Sequence, residues 1–191
     1  MTFRQAEMDE FDRVRGFYWA LIDVMEGGRF DPGWRKGIYP SDAELGRSLS
    51  RRELYVLEEG GRIIAAVIIN NECNPGYEGL PWRVDAPAER VFMLHALGVA
   101  PDRQGQGVAG RVVSECLAAA REKGAECVRL DVLGGNEPAE RLYLGAGFRF
   151  VAAKPMFYED TGWIDVFGER LYMQRPDEVD RCNGLDVDFD R

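Results

Sequence analysis

The spacing of apolar residues changes period several times along the chain, and each change marks an element. Between residues 9 and 25, Phe11, Val14, Tyr18, Leu21 and Met25 recur at helical spacing, which predicts an amphipathic first helix. "GGRFDPGWRKGIYP" (27–40) interrupts that rhythm with Gly and Pro while holding Trp34 and Tyr39, and reads as a loop. Ser41 followed by Glu44 forms a capping box, so a short second helix opens there. "ELYVLEEGGRIIAAVIIN" (53–70) reads as two strands turning at Gly60 and Gly61. A second long loop, roughly 71 to 89, contains "NECNPGYEGLPW". "VFMLHALGV" (91–99) is a buried strand on which His95, Leu97 and Val99 are expected to share one face.

From Gly107 a helix is expected to run to Lys123, with Ala109, Val112, Val113, Cys116, Leu117 and Ala120 along one face and Gly124 as its stop. "CVRLDVL" is a strand in which Asp131 faces away from Val128, Leu130 and Val132. Asn136 caps a short helix with Pro138 in its first turn and Gly147 at its end. "FRFVAA" and "ERLYMQR" are two further strands around the loop "YEDTGW". The order is thus α, α, β, β, β, α, β, α, β, β. Beyond Arg175, "PDEVDRCNGLDVDFDR" carries six acids against two arginines and reads as an acidic tail. One domain over 1–176 and a tail over 177–191 are expected.

Composition narrows the function. The 191 residues, 46% hydrophobic, suit one domain with a full core. A net charge of −9, with no local basic patch, gives no attraction for nucleic acid or an anionic membrane. No run approaches the eighteen or so apolar residues of a membrane span, and acids occupy the place of a signal peptide's apolar core, so a cytoplasmic protein is expected. Cys73, Cys116, Cys127 and Cys182 form no C-x-x-C pair and His95 is the single histidine, which argues for reduced structural thiols and against a metal site.

The chemistry concentrates in "VAPDRQGQGVAGR" (99–111). Gly105, Gly107 and Gly110 spell G-x-G-x-x-G, and Asp131 lies about twenty residues further on, as in a dinucleotide-binding turn. That turn places its first glycine directly after the strand. Here "APDRQ" intervenes, Pro101 forces a turn of its own, and three strands, two of them a hairpin, precede the motif. A nicotinamide site is therefore rejected. The same residues also read Gln104-x-x-Gly107-x-Ala109 between a strand and a helix, and N-x-P-A-x-x-L-Y-x-x-x-G-F follows from Asn136 to Phe148. In such a loop the N–H groups of Gln104, Gly105, Gln106, Gly107, Val108 and Ala109 converge at a helix start and suit a pyrophosphate.

On these two motifs the chain, over roughly residues 3 to 175, resembles the GNAT superfamily of acyl-CoA-dependent N-acetyltransferases. The resemblance implies an α/β fold with a mixed, mostly antiparallel central sheet flanked by helices, and acetyl-CoA as the acyl donor. It implies that Leu97, Gly98 and Val99 pair through their backbone with the pantetheine arm, and that Arg103, Gln104, Gly105, Gln106, Gly107, Val108, Ala109, Gly110 and Asn136 hold the cofactor. Asn136 also reads as a helix cap, and Arg141 as either a phosphate partner or a surface charge. Tyr143 matches the family's general acid for the leaving thiolate, although its spacing with Leu142 and Ala146 also fits a core aromatic. His95, in a strand like that of the arylalkylamine acetyltransferases, is a base for the amine or a hydrogen-bonded core histidine. Trp34, Tyr39, Glu72 and Tyr158, with Asp160 and Trp163, fall in loops that the family sets around the acceptor. The implied function is transfer of an acetyl group to a primary amine, on a small molecule or an amino terminus. The alternative is a non-catalytic acyl-CoA-binding regulator of the same fold. A homodimer is compatible with either.

Overall fold

The computed structural model describes residues 1–26, 31–73, 77–155 and 169–176. The expected tail, Cys182 and three expected wall residues (Tyr158, Asp160 and Trp163) lie outside them. The chain begins with a strand, β1 (Thr2–Gln5), then a one-turn segment and helix α1 (Phe11–Met25). There follow α2 (Asp42–Ser50), β2 (Leu54–Glu59), β3 (Arg62–Asn70), β4 (Val91–Val99), α3 (Val108–Glu122), β5 (Cys127–Leu133), α4 (Glu137–Gly145), β6 (Arg149–Pro155) and β7 (Glu169–Pro176). β1 is absent from the sequence reading because four residues carry too little periodicity to register; it exists by pairing along β2. Local chemistry sets the helix ends as expected: Ser41 and Glu44 close the capping box of α2, and the Asn136 side chain accepts from the Ala139 N–H.

The seven strands form one sheet in the order β1-β2-β3-β4-β5-β7-β6, antiparallel throughout except for β4 beside β5. α1 and α2 cover one face with Val14, Tyr18, Leu45 and Leu49, against Val56 and Ile68 of the sheet. α3 covers the other with Val112, Val113, Cys116 and Ala120, joined by Tyr143 of α4. No described helix is long and apolar enough to cross a membrane.

The parallel pair carries the feature that makes the site. β4 and β5 are in register only at Val91–Cys127, Phe92–Val128 and Met93–Arg129. Beyond that point β4 stays with β3 as far as Val99, while β5 stays with β7 as far as Leu133. A wedge therefore opens inside the sheet, bordered by two strand edges with no strand of the described residues between them. Ala96 sits at the bend with φ 51, a left-handed conformation unusual for a residue with a Cβ. Ile68 pairs with His95 and Ala66 with Gly98, so Val67 alone faces both Ala96 and Leu97: a β-bulge. The fully buried Tyr18 donates its hydroxyl hydrogen to the Ala96 carbonyl at 2.9 Å and fixes the bulge from α1.

The bulge corrects the expected face of β4. An extra residue shifts the alternation by one, so His95 shares the α1/α2 face with its partner Ile68, while Leu97 and Val99 pack toward α3. His95, Leu97 and Val99 do not share a face.

Candidate functional site

After Val99 the chain makes one helical turn at Pro101–Arg103 and then two left-handed steps, Gly105 at φ 72 and Gly107 at φ 77. Those two angles need glycine, and a Cβ built on either meets nothing within 4 Å, so the space before the loop is open. Gly107 is the N-cap of α3 and no side chain caps the helix. Among the described residues, no protein acceptor takes the N–H groups of Gly105, Gln106, Gly107, Val108 or Ala109. Five donors at the positive end of a fifteen-residue helix make an anion cradle. The polar side chains of the loop brace it from behind. Gln104 Nε2 donates to the Val99 carbonyl at 3.1 Å, and Gln106 Nε2 to that of Asp102 at 2.8 Å.

The loop arginines are occupied elsewhere. Arg103 pairs with Glu59 on the β2–β3 hairpin, and Arg62 of that hairpin pairs with Asp102, so two ion pairs join the turn to the hairpin. Arg111 donates to the Met1 carbonyl and lies near Glu115. The cradle consists of backbone N–H groups, and Arg103 serves as its mechanical support. Gly110 lies inside α3, where an added Cβ would touch Leu142 of α4 at 3.9 Å.

A cavity of about 360 Å³ runs into the wedge. Its walls bring His95 and Leu97 of β4 together with Asp131 of β5, Asn136 before α4 and Tyr143 on α4, while Trp34, Tyr39, Glu44 and Glu72 stand at other sides. Gly98 is turned from the cavity toward α1, where an added Cβ would come within 2.6 Å of Leu21 Cδ2. The Tyr143 ring packs edge-on to Phe148 at 5.6 Å. Burial first, then the neighbouring Cys116 and Asp131, raises its phenol above the ordinary range and keeps it protonated. The His95 imidazole is pushed below its usual pKa by burial, against the attraction of Asp131 and the hydrogen bond to Glu72, so it is neutral at pH 7. Its Nε2 lies 3.1 Å from Asn70 Oδ1 and 3.2 Å from the Glu72 carbonyl.

The remaining expected residues divide. Trp34 and Tyr39 form an edge-on pair at 5.6 Å that leans on Tyr18, and both line the cavity. Glu72 lines it while ion-paired to Arg51. Asn136 lines it with its side-chain oxygen already engaged as a cap. Arg141 pairs with Glu137 one turn back on exposed α4, which is the surface-charge reading. The sequence reading passed over Asn70, Glu44 and Asp131 as site residues. The alternation sets Asp131 opposite Val128, Leu130 and Val132, and in the fold it lines the cavity, with its Oδ1 accepting from the Tyr77 hydroxyl at 2.6 Å. For Asn70 a signal existed: it is a lone polar residue ending the apolar run "IIAAVIIN".

A model described as the Acetyltransferase (GNAT) family matches residues 16–148. Mycothiol acetyltransferase of Propionibacterium freudenreichii subsp. shermanii is 36% identical over 76 residues, 36% of this chain and 24% of that protein. N-alpha-acetyltransferase RimI of Mycobacterium tuberculosis is 31% identical over 105 residues, 55% of this chain and 60% of that protein. The matches thus span less than two thirds of either relative. Among solved structures, yncA of Salmonella typhimurium, determined with its cofactor acetyl-CoA, superimposes with a TM-score of 0.67 at 17% identity, covering 98% of each chain. At that identity the likeness concerns the fold.

Proposed function

The chain belongs to the acetyltransferase (GNAT) family, and from that premise we propose that it transfers an acetyl group from acetyl-CoA to a primary amine. One observation carries the reading: where β4 parts from β5 a cavity holds both a neutral imidazole and a neutral phenol, and the same strand β4 runs on into the loop whose Gly105–Ala109 N–H groups have no acceptor among the described residues. The cradle takes the pyrophosphate. The unpaired edge of β4 at Leu97–Val99 offers peptide groups to the pantetheine arm, as a missing strand would. The thioester then lies in the wedge.

An acceptor that arrives as an ammonium ion loses a first proton to solvent, which exposes the lone pair. The neutral amine nitrogen then bonds to the acetyl carbon, its second proton passes to neutral His95, and the C–S bond breaks as the tetrahedral intermediate collapses. Tyr143 hydrogen-bonds to the departing sulfur and gives it a proton. His95 afterwards returns its proton to solvent, and Tyr143 regains one from it. Glu44, Glu72 and Asp131 around the cavity, against Arg47 alone, favour an acceptor that arrives as an ammonium ion, beside the Trp34–Tyr39 pair. The names of the two relatives, a mycothiol acetyltransferase and an N-alpha-acetyltransferase, support acetyl transfer, and the second supports a nitrogen acceptor.

The test is thermal unfolding with acetyl-CoA, free CoA and NAD, followed by thiol release with a panel of amines. Ligand at a hundred times Kd stabilises by about 2.7 kcal/mol, on the order of 5–10 °C for a chain of this size. Acetyl-CoA and CoA are expected to raise Tm and NAD to leave it unchanged. Gly107→Glu, which puts a carboxylate into the cradle, is expected to abolish the shift. Stabilisation by NAD alone would overturn the reading. Stabilisation by acetyl-CoA without thiol release for any amine would favour the binding-only alternative.

A further inference from the structure

An imidazole works as a base through whichever nitrogen lacks the proton, and its neighbours decide which that is. Asn70 is buried at the end of β3. Its Oδ1 receives the Glu72 N–H at 3.0 Å; a peptide N–H only donates, so the carboxamide oxygen faces it. That same oxygen stands 3.1 Å from His95 Nε2. The second neighbour of Nε2, the Glu72 carbonyl at 3.2 Å, is likewise an acceptor only. Between two acceptors, Nε2 must carry hydrogen. The proton that comes and goes is then on Nδ1, for which the described residues supply no partner.

Resting on the amine acetylation proposed above, we propose that Asn70 is a positioning residue: its carboxamide holds neutral His95 as the Nε2–H tautomer, so that Nδ1 receives the proton of the acceptor amine. In that step the amine N–H bond breaks and an Nδ1–H bond forms. The resulting imidazolium keeps both Nε2–H contacts, so the ring need not turn. A neutral amide suits this task better than a carboxylate, which would stabilise the imidazolium and hold the proton. The groups that bear on His95 are Asp131 from β5, Glu44 and Arg47 from α2, Glu72 beyond β3 and Tyr143 from α4, with Glu53 on the far side of Asn70.

Because His95 is the single histidine, histidine labelled with ¹⁵N in the full chain reports this one ring. A long-range ¹H–¹⁵N spectrum followed across pH gives tautomer and titration without any turnover. The wild type is expected to show protonated Nε2 and bare Nδ1 at neutral pH. Asn70→Asp keeps the shape and places a carboxylate on Nε2–H, so the ring's titration should rise by about 1–3 pH units. The acid limb of kcat/KM for the amine should rise with it. Asn70→Ala should let the Nδ1–H form appear and lower kcat, with acetyl-CoA affinity unchanged. A bare Nε2 in the wild type overturns the proposal, as does an unmoved titration in Asn70→Asp. So does a shifted titration that the kinetic limb does not follow. If Asn70→Ala does not fold, the near-isosteric Asn70→Asp carries the test alone. A locked Nε2–H tautomer without acetylation of any amine would leave the ring geometry standing and overturn the role in catalysis, which is the failure of the reaction reading itself.

Discussion

Tyr143 owes its chemistry to where it is buried. An exposed phenol titrates near 10, but this one, on the buried side of α4 and near Cys116, is pushed higher and stays protonated throughout the neutral range. In the general-acid role proposed above, removing its hydroxyl should cost rate and not binding, since the thiolate to be protonated exists only late in the reaction. Tyr143→Phe is expected to lower kcat by about 10²–10⁴-fold, the usual worth of general acid catalysis, with acetyl-CoA Kd and Tm nearly unchanged. Single-turnover kinetics, ligand titration and thermal unfolding on one preparation check this. A kcat within about threefold of wild type, with chemistry rate-limiting, would remove Tyr143 from the mechanism. At this scale the sequence was informative where a motif fixed the position. It marked Asp131 and Asn70 only as polar positions in apolar strands, because their roles depend on which side of the sheet the cavity opens.

At the scale of elements, the active piece is the contact between β4 and α1. Tyr18 holds the Ala96 carbonyl, and two residues on, Gly98 lets α1 lie directly on the strand. A methyl group at Gly98 would stand 2.6 Å from Leu21 Cδ2 and 3.4 Å from Phe17 Cε1. Leu21 is itself buried, so relief comes from repacking its side chain in a filled core or from movement of the helix or the strand. Gly98→Ala is expected to destabilise by about 1–3 kcal/mol, as overpacked cores do. It should also raise the KM for acetyl-CoA, because the strand that moves is the one whose edge the pantetheine arm would use. Denaturant unfolding and steady-state kinetics read the two effects separately, and loss of stability with an unchanged KM would show that Leu21 or α1 gives way and β4 does not. The hairpin clasp on the phosphate loop belongs to this scale too. Glu59 and Arg62 lie far from the glycine motif in sequence, yet they hold its first turn through Arg103 and Asp102.

Over the whole molecule, the amino-terminal strand is tied down by charge. Arg4 and Arg13 each bind both Glu10 and Glu58, which closes a four-membered ring linking β1, α1 and the β2–β3 hairpin. Arg4 above all lowers the Glu10 carboxyl from an ordinary 4.5 to about 2, and Arg13 and then Arg4 lower Glu58. Carboxyls with depressed folded-state pKa values bind fewer protons folded than unfolded, so their stabilisation is complete above about 4.5 and is lost as the pH falls toward 2. Tm is expected to fall through that window. Glu10→Gln should lower Tm at neutral pH and make the acid decline shallower; an acid profile parallel to that of wild type would show that the ring contributes nothing.

By itself the sequence determined what depends on neighbours a few residues apart. The capping box at Ser41, the cap at Asn136, the turn at Gly60 and Gly61 and the glycines of the phosphate loop all have causes within one or two turns of chain. The two motifs that carry the family resemblance are local in the same way. The tertiary structure alone decided what depends on pairing between distant segments. A four-residue strand becomes β1 only because β2 lies beside it, and β4 leaves β5 after three pairs. One bulged residue, Ala96, puts His95 and Leu97 on opposite faces of β4, and strand periodicity cannot reveal it because the bulge is a property of two strands in register. The tautomer of His95 follows for the same reason, since its partners Asn70 and Glu72 lie on the neighbouring strand and the turn beyond it.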